Sequence, residues 1–142
     1  IWTKVAVCTW LLRSSLDQQA LWKGIEDGTV DCIATDHAPH TLEEKQVTPP
    51  MSAPSGVPGV ETMLPLLLTA ASGKWEDRKI TIEQIKKLCF ENPNRIFNLG
   101  RSDTEIIEVD LDAKWTIHAK ELHSQCDWTP FEGWEVVGKV VS

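Results

Sequence analysis

The spacing of apolar residues along the chain divides it into two halves of different character. Up to about residue 100 the apolar positions alternate between helical spacing and short continuous runs. Beyond it they recur every second residue. Residues 1–12 are apolar and rich in Trp and Val, which predicts a buried strand followed by an irregular stretch. Ser15 with Gln18 forms a capping-box pattern, and Leu16, Ala20 and Ile25 fall on one face of the helix that follows. Gly28 is placed to end that helix. The β-branched run Val30-Asp31-Cys32-Ile33-Ala34-Thr35 then reads as a buried strand, completing a helix, turn and strand of the α/β kind.

Residues 36–59 show little periodicity, and long irregular loops in compact domains are often functional. A helix is predicted over about 60–72, with Pro65 tolerated near its start or at a kink. A second begins at Thr81, where Gln84 completes another capping box, and extends to about residue 90. Asn92-Pro93 reads as an N-cap followed by Pro at the first helical position, opening a short helix that ends near Gly100. Strands are predicted over 105–111 and 115–118, separated by a turn at 112–114, and over 136–141. These expectations put a domain boundary near residue 100.

Composition narrows the class. The 142 residues are 42% hydrophobic and 25% charged, as in a globular domain. The weakly charged stretch 49–72 is interrupted by Pro and Gly, so it predicts no transmembrane span. The formal net charge of −7, with carboxylates dispersed, argues against nucleic-acid binding, which needs clustered cations. Cys8, Cys32, Cys89 and Cys126 form no CxxC pair and read as reduced thiols of a cytoplasmic protein. The chain starts without Met and stops inside a strand-like run, so both ends read as cut.

The chemistry-bearing segment is Ala34-Thr35-Asp36-His37-Ala38-Pro39-His40. A carboxylate at the end of a buried strand, entering a long loop, stands where α/β barrels set catalytic groups. It can ligate a metal and pass a proton between water and leaving group, and His40 can face a substrate carboxylate. The bland alternative makes Asp36 a turn cap beside two surface histidines. His118 and His123 have no partner motif and read as ordinary surface histidines. The seven tryptophans read as packing residues, and Glu43-Glu44-Lys45 as a solvated turn.

Three ordered blocks resemble the longer-type dihydroorotases of the amidohydrolase superfamily. They are Thr35-Asp36-His37-Ala38-Pro39-His40 with Leu42-Glu43-Glu44-Lys45, then Ala53-Pro54-Ser55-Gly56-Val57-Pro58-Gly59-Val60-Glu61-Thr62 with Leu64-Pro65-Leu66-Leu67, and last Asn92-Pro93-Asn94-Arg95-Ile96-Phe97-Asn98-Leu99. The resemblance implies an α/β fold: residues 1–100 as the last units of a (β/α)8 barrel, and 101–142 as part of a small β-sandwich domain. It implies zinc-dependent, reversible hydrolysis of dihydroorotate to N-carbamoyl-L-aspartate in pyrimidine biosynthesis, with a binuclear zinc site in the parent enzyme. Asp36 matches the metal-binding, proton-transferring aspartate. His40 matches the histidine that contacts the substrate carboxylate, and Ser55 and Gly56 match positions that touch substrate through backbone. His37 is left as a supporting or structural residue. Thr9 stands where the family has an Asn that contacts substrate. The paired histidines, the bridging ligand and the two later histidines of the family site are absent from this chain, which is therefore expected to bind zinc poorly and to be inactive alone. The partners implied are the small-molecule substrate, a further copy of the chain or aspartate transcarbamoylase. Two alternatives stay open: another cyclic amidohydrolase such as a hydantoinase or allantoinase, and a non-catalytic dihydroorotase-like scaffold that binds a pyrimidine-pathway enzyme.

Overall fold

The computed structural model describes residues 14–49, 52–102, 104 and 106–141. The expectations for residues 1–12, including Cys8 and Thr9, lie outside these. The helices are α1 (Ser15–Glu26), α2 (Leu42–Lys45), α3 (Val60–Ala71), α4 (Ile82–Lys86) and α5 (Asn92–Ile96). A π-helical turn spans Lys87–Glu91, a 3-10 turn spans Ala119–Glu121, and the strands are β1 (Val109–Thr116) and β2 (Glu135–Val140). The described residues fall into two compact units. One comprises Thr35–Met63 and Thr116–Glu135, and the other residues 14–34, 64–115 and 136–141. Among the described residues no helix is long and apolar enough to cross a membrane.

In the second unit α1 starts from a capping box one residue earlier than the sequence pattern placed it. Asp17 N donates to Ser14 Oγ at 3.2 Å, and Ser14 N donates to Asp17 Oδ2 at 3.1 Å. A carboxylate at this position also meets the positive end of the helix dipole, an advantage the amide of Gln18 lacks. Gly28 closes the helix with φ +81, as expected. The apolar stripe of α1 is only partly covered: no α1 residue is buried, Leu16 is 74% exposed and Ile25 is half-buried.

The run 30–35 forms no β ladder among the described residues, contrary to the strand prediction. Its backbone bonds run to helical segments instead, Ile33 N to Leu88 O at 3.1 Å and Val30 N to Gly24 O at 3.0 Å. A parallel strand gains its hydrogen bonds from neighbouring strands supplied by crossover units, and this unit holds none beside it. Residues 82–96 are continuous helix rather than two separate helices. The Thr81–Gln84 capping box opens it as predicted, with Gln84 N to Thr81 Oγ1 at 3.1 Å and Thr81 N to Gln84 Oε1 at 2.9 Å. Asn92 is not the N-cap. Its side chain donates to Asp31 O at 2.8 Å, and its backbone N–H bonds Lys87 O. Pro93 lacks an N–H and its ring crowds the carbonyl four residues back, so the helix passes that point by widening into a π turn.

Leu67, Leu68, Ala70, Ile80, Ile85, Leu88 and Val136 form the buried apolar set of this unit. Gly138 lets β2 approach α3, since a Cβ there would lie 2.4 Å from Leu68 Cδ1. The Thr69 hydroxyl completes the junction, accepting from Val137 N at 3.0 Å and donating to Pro65 O at 2.6 Å. β1 and β2 pair antiparallel: Val141 N donates to Glu108 O, and Trp115 Nε1 donates to Gly138 O. The predicted turn at 112–114 is absent, because Asp112-Ala113-Lys114 lacks the Gly or Asn that a hairpin reversal needs. β1 therefore runs straight through it. The third predicted strand is present as β2.

The first unit has Ile117, Ala119, Cys126 and Trp128 as its buried apolar residues. Ile117 N donates to Trp134 O at 2.9 Å, and Gly133 N donates to Ile117 O at 2.8 Å. Phe131 packs edge-on against Trp134 with centroids 5.4 Å apart. This unit also holds Asp36, His37, His40, Ser55 and Gly56.

Candidate active site

Asp36 is exposed and takes φ +48, a left-handed backbone that a non-glycine residue adopts at a cost of about 1–2 kcal/mol. The chain turns sharply there and lays His37 alongside Val57 as an isolated parallel bridge, with Ala38 N donating to Val57 O at 3.1 Å. That pairing brings Gly56 against the Asp36 turn. Gly56 is buried with φ +92, and a Cβ on it would stand 2.4 Å from Ala38 Cβ and 3.7 Å from Asp36 O. The resulting close approach admits glycine alone without displacement.

His37 uses its ring to cap α3. Its Nδ1 accepts from Gly59 N at 3.0 Å and from Val60 N at 3.3 Å, which places any ring proton on Nε2. The first free amides of the helix are satisfied this way. His40 is held at its backbone, where its carbonyl accepts from Trp128 Nε1 at 2.7 Å and its N–H bonds Ala38 O at 2.9 Å. Its ring lies 3.5 Å from Glu44 Oε2 and is part-exposed. Ser55 is exposed, and the carbonyls on either side of it both accept from Lys45 Nζ, Pro54 O at 2.6 Å and Gly56 O at 3.0 Å.

Lys45 itself is 0% exposed, so it does not belong to a solvated turn. The single-turn α2 that carries it is opened by a capping box, Glu44 N to Thr41 Oγ1 and Thr41 N to Glu44 Oε2. This points the lysine inward while Glu43 and Glu44 stay exposed. Neither Lys45 nor Trp128 carries a sequence pattern that marks it as a neighbour of the site. The Thr-x-x-Glu spacing at 41–44 was the available signal for α2.

Two carboxylates of this unit are held below the ordinary glutamate range. Partial burial acts to raise Glu61, but its hydrogen bonds outweigh it: His123 Nδ1 at 2.7 Å, His123 N at 2.8 Å and Ser124 N at 3.2 Å. Glu132 is lowered by the His118 ring at 2.8 Å and by Ala119 N at 2.7 Å. Both histidines therefore have a carboxylate partner that sequence spacing did not disclose.

Zinc sites take three or four protein ligands. Among the described residues no three His, Cys, Asp or Glu come together, so these residues do not by themselves fit a zinc site. The arrangement presents the solvent-facing carboxylate of Asp36, a histidine anchored four residues on, and a pinned glycine loop beside them. The carboxylate can accept or deliver a proton, and the loop can offer backbone groups to a bound molecule.

No protein-family model matches the chain. The chain is 51% identical over 130 residues to the "Multifunctional protein pyr1-3" of Dictyostelium discoideum, covering 92% of this chain and 5% of that protein. It is 44% identical over 129 residues to a dihydroorotase of Halobacterium salinarum, covering 86% of this chain and 29% of the relative. Among solved structures, an L-hydantoinase (dihydropyrimidinase) from Arthrobacter aurescens superimposes with a TM-score of 0.81 at 28% identity, over 94% of this chain and 31% of its own. The inactive dihydroorotase-like domain of a Chaetomium thermophilum CAD-like multifunctional protein does so with a TM-score of 0.68 at 26% identity, over 93% of this chain and 35% of its own. Over most of its length this chain is thus similar in sequence to dihydroorotases and in its α/β fold to a segment of an amidohydrolase, and it spans 29% of the Halobacterium dihydroorotase it matches.

Proposed function

We propose that this chain is part of a dihydroorotase, an enzyme that hydrolyses the cyclic amide of dihydroorotate reversibly to N-carbamoyl-L-aspartate in pyrimidine biosynthesis. The observation that carries the reading is the 44% identity to a dihydroorotase across the segment that contains the Asp36 turn and the Ser55–Gly56 loop. Residues 1–100 are assigned to the last units of a (β/α)8 barrel and 101–142 to part of a small β-sandwich domain. Asp36 is the carboxylate that takes a proton from the attacking water and hands it to the ring nitrogen as the carbon–nitrogen bond breaks. His40 faces the substrate carboxylate, Ser55 and Gly56 line the substrate through backbone, and His37 supports the site by capping α3. Zinc is the metal the resemblance implies, with Asp36 as this chain's share of a site whose other ligands come from sequence beyond it. The isolated chain is accordingly inactive and binds zinc poorly. A cytoplasmic setting accords with this reading. So does association with a further copy or with aspartate transcarbamoylase, the latter favoured by the similarity to two multifunctional proteins.

A second reading rests on the similarity to an inactive dihydroorotase-like domain: the parent is a scaffold that binds a pyrimidine-pathway enzyme. Turnover by the full-length protein that carries this segment decides between them. Opening of dihydroorotate in preference to hydantoins is the expected result. Preference for a hydantoin makes the parent a hydantoinase, and absence of any turnover with retained folding favours the scaffold.

A further inference from the structure

Lys45 is a buried cation that the proposed chemistry does not use. Its burial is complete, and its Nζ bonds two main-chain carbonyls separated by a single residue, Pro54 O at 2.6 Å and Gly56 O at 3.0 Å. Placing an ammonium group out of water is costly unless its donors are met, so such a lysine is retained where its bonds hold something in place. What it holds is the Ser55 peptide. With both flanking carbonyls turned inward to Nζ, Ser55 is left on the exposed side of the loop. The loop is fixed a second time at Gly56, whose bare Cα lies against Ala38 two residues beyond Asp36. The base of α2 is tied in turn by its capping box, so Lys45 reaches the loop from a short but fully capped helix.

We propose that Lys45 is a positioning residue for substrate binding: it pins the Ser55–Gly56 backbone at a set distance from the Asp36 turn, so that substrate affinity depends on it while the proton-transfer step does not. The inference rests on the dihydroorotase reading and assigns Lys45 no contact with substrate. A carbonyl released from Nζ turns toward water, the loop gains freedom, and binding then has to order it again.

The test uses the full-length protein, comparing wild type with Lys45→Met, which keeps the stem and removes the donors, and Lys45→Gln, which keeps an amide donor. Steady-state kinetics with dihydroorotate and hydrogen exchange across residues 52–59 are read together. The expected result for Lys45→Met is a KM raised about tenfold with kcat changed far less, together with faster exchange in the loop; Lys45→Gln falls between it and wild type. A lysine that served folding alone would lower the amount of active protein and leave KM where it was. Unchanged KM in a folded variant, or a fall in kcat at constant KM, overturns the inference while leaving the dihydroorotase reading intact. Wild type that does not turn over dihydroorotate overturns that reading and the inference with it. Where Lys45→Met does not fold, Lys45→Gln carries the test: it still has to raise KM and loop exchange, and wild-type values for both overturn the proposal.

Discussion

Replacing Gly56 with Ala puts a number on how tightly the loop is set against the Asp36 turn. The new methyl group would stand 2.4 Å from Ala38 Cβ, while the next atoms, Ala38 Cα and Asp36 O, are both 3.7 Å away. Carbon atoms rest about 3.5–4.0 Å apart, so the two segments have to separate by roughly 1 Å or distort. Overpacking of this kind costs about 1–3 kcal/mol. A further ~1–2 kcal/mol comes from holding an L-residue at φ +92. The two costs are separable. Ala38→Gly removes the one atom in close contact, so the double variant should regain the overpacking part and keep the backbone part. Ala38→Gly alone costs about 0.5–1 kcal/mol in chain entropy. A double-mutant cycle should therefore show a favourable coupling of at least ~1 kcal/mol. Hydrogen exchange over residues 52–59 in the full-length protein is the suitable readout, since it reports opening of this loop without assuming one global transition. A double variant no more stable than the sum of the singles would refute the packing argument.

The remaining predictions concern both units. Glu61 has a depressed folded pKa, so the stability it contributes is present above the ordinary glutamate value of 4.5 and is lost as pH falls through the lower folded value. Amide shifts of His123 and Ser124 should accordingly titrate together below that value and stay flat in Glu61→Gln; a transition at or above it would contradict the assignment. In the second unit Gln84 both returns a bond to Thr81 N and donates to Ile25 O at 3.0 Å. Gln84→Ala should thus cost about 1–2 kcal/mol, more than the ~1 kcal/mol of Thr81→Ala, in thermal denaturation. The reverse order would show that the Ile25 bond contributes nothing.

Local signals carried much of this picture. The Thr81 capping box, the helix over 60–71, the glycine after α1 and the final strand are all governed by neighbours within a few residues, and all are present. Features that depend on distant partners were illegible. The run 30–35 has strand composition, but strand formation depends on neighbouring strands, and none pairs with it among the described residues. Asn92 has capping chemistry, yet the carbonyl of Asp31 engages its side chain. Lys45 reads as a surface charge until the carbonyls of Pro54 and Gly56 are known to surround it. At the candidate site the residue types of Asp36 and His40 were readable. The left-handed turn at Asp36 was not, because non-glycine residues rarely signal it.

The most direct test of the account is Asp36→Asn in the full-length protein, assayed for hydrolysis of dihydroorotate with the folded state checked by circular dichroism. Asn keeps the size of the side chain and its tolerance of the left-handed backbone, and it removes the group that can carry a proton. The account predicts a fall in kcat of about 10²–10⁴-fold with the fold intact. Turnover at the wild-type rate in that variant would contradict it.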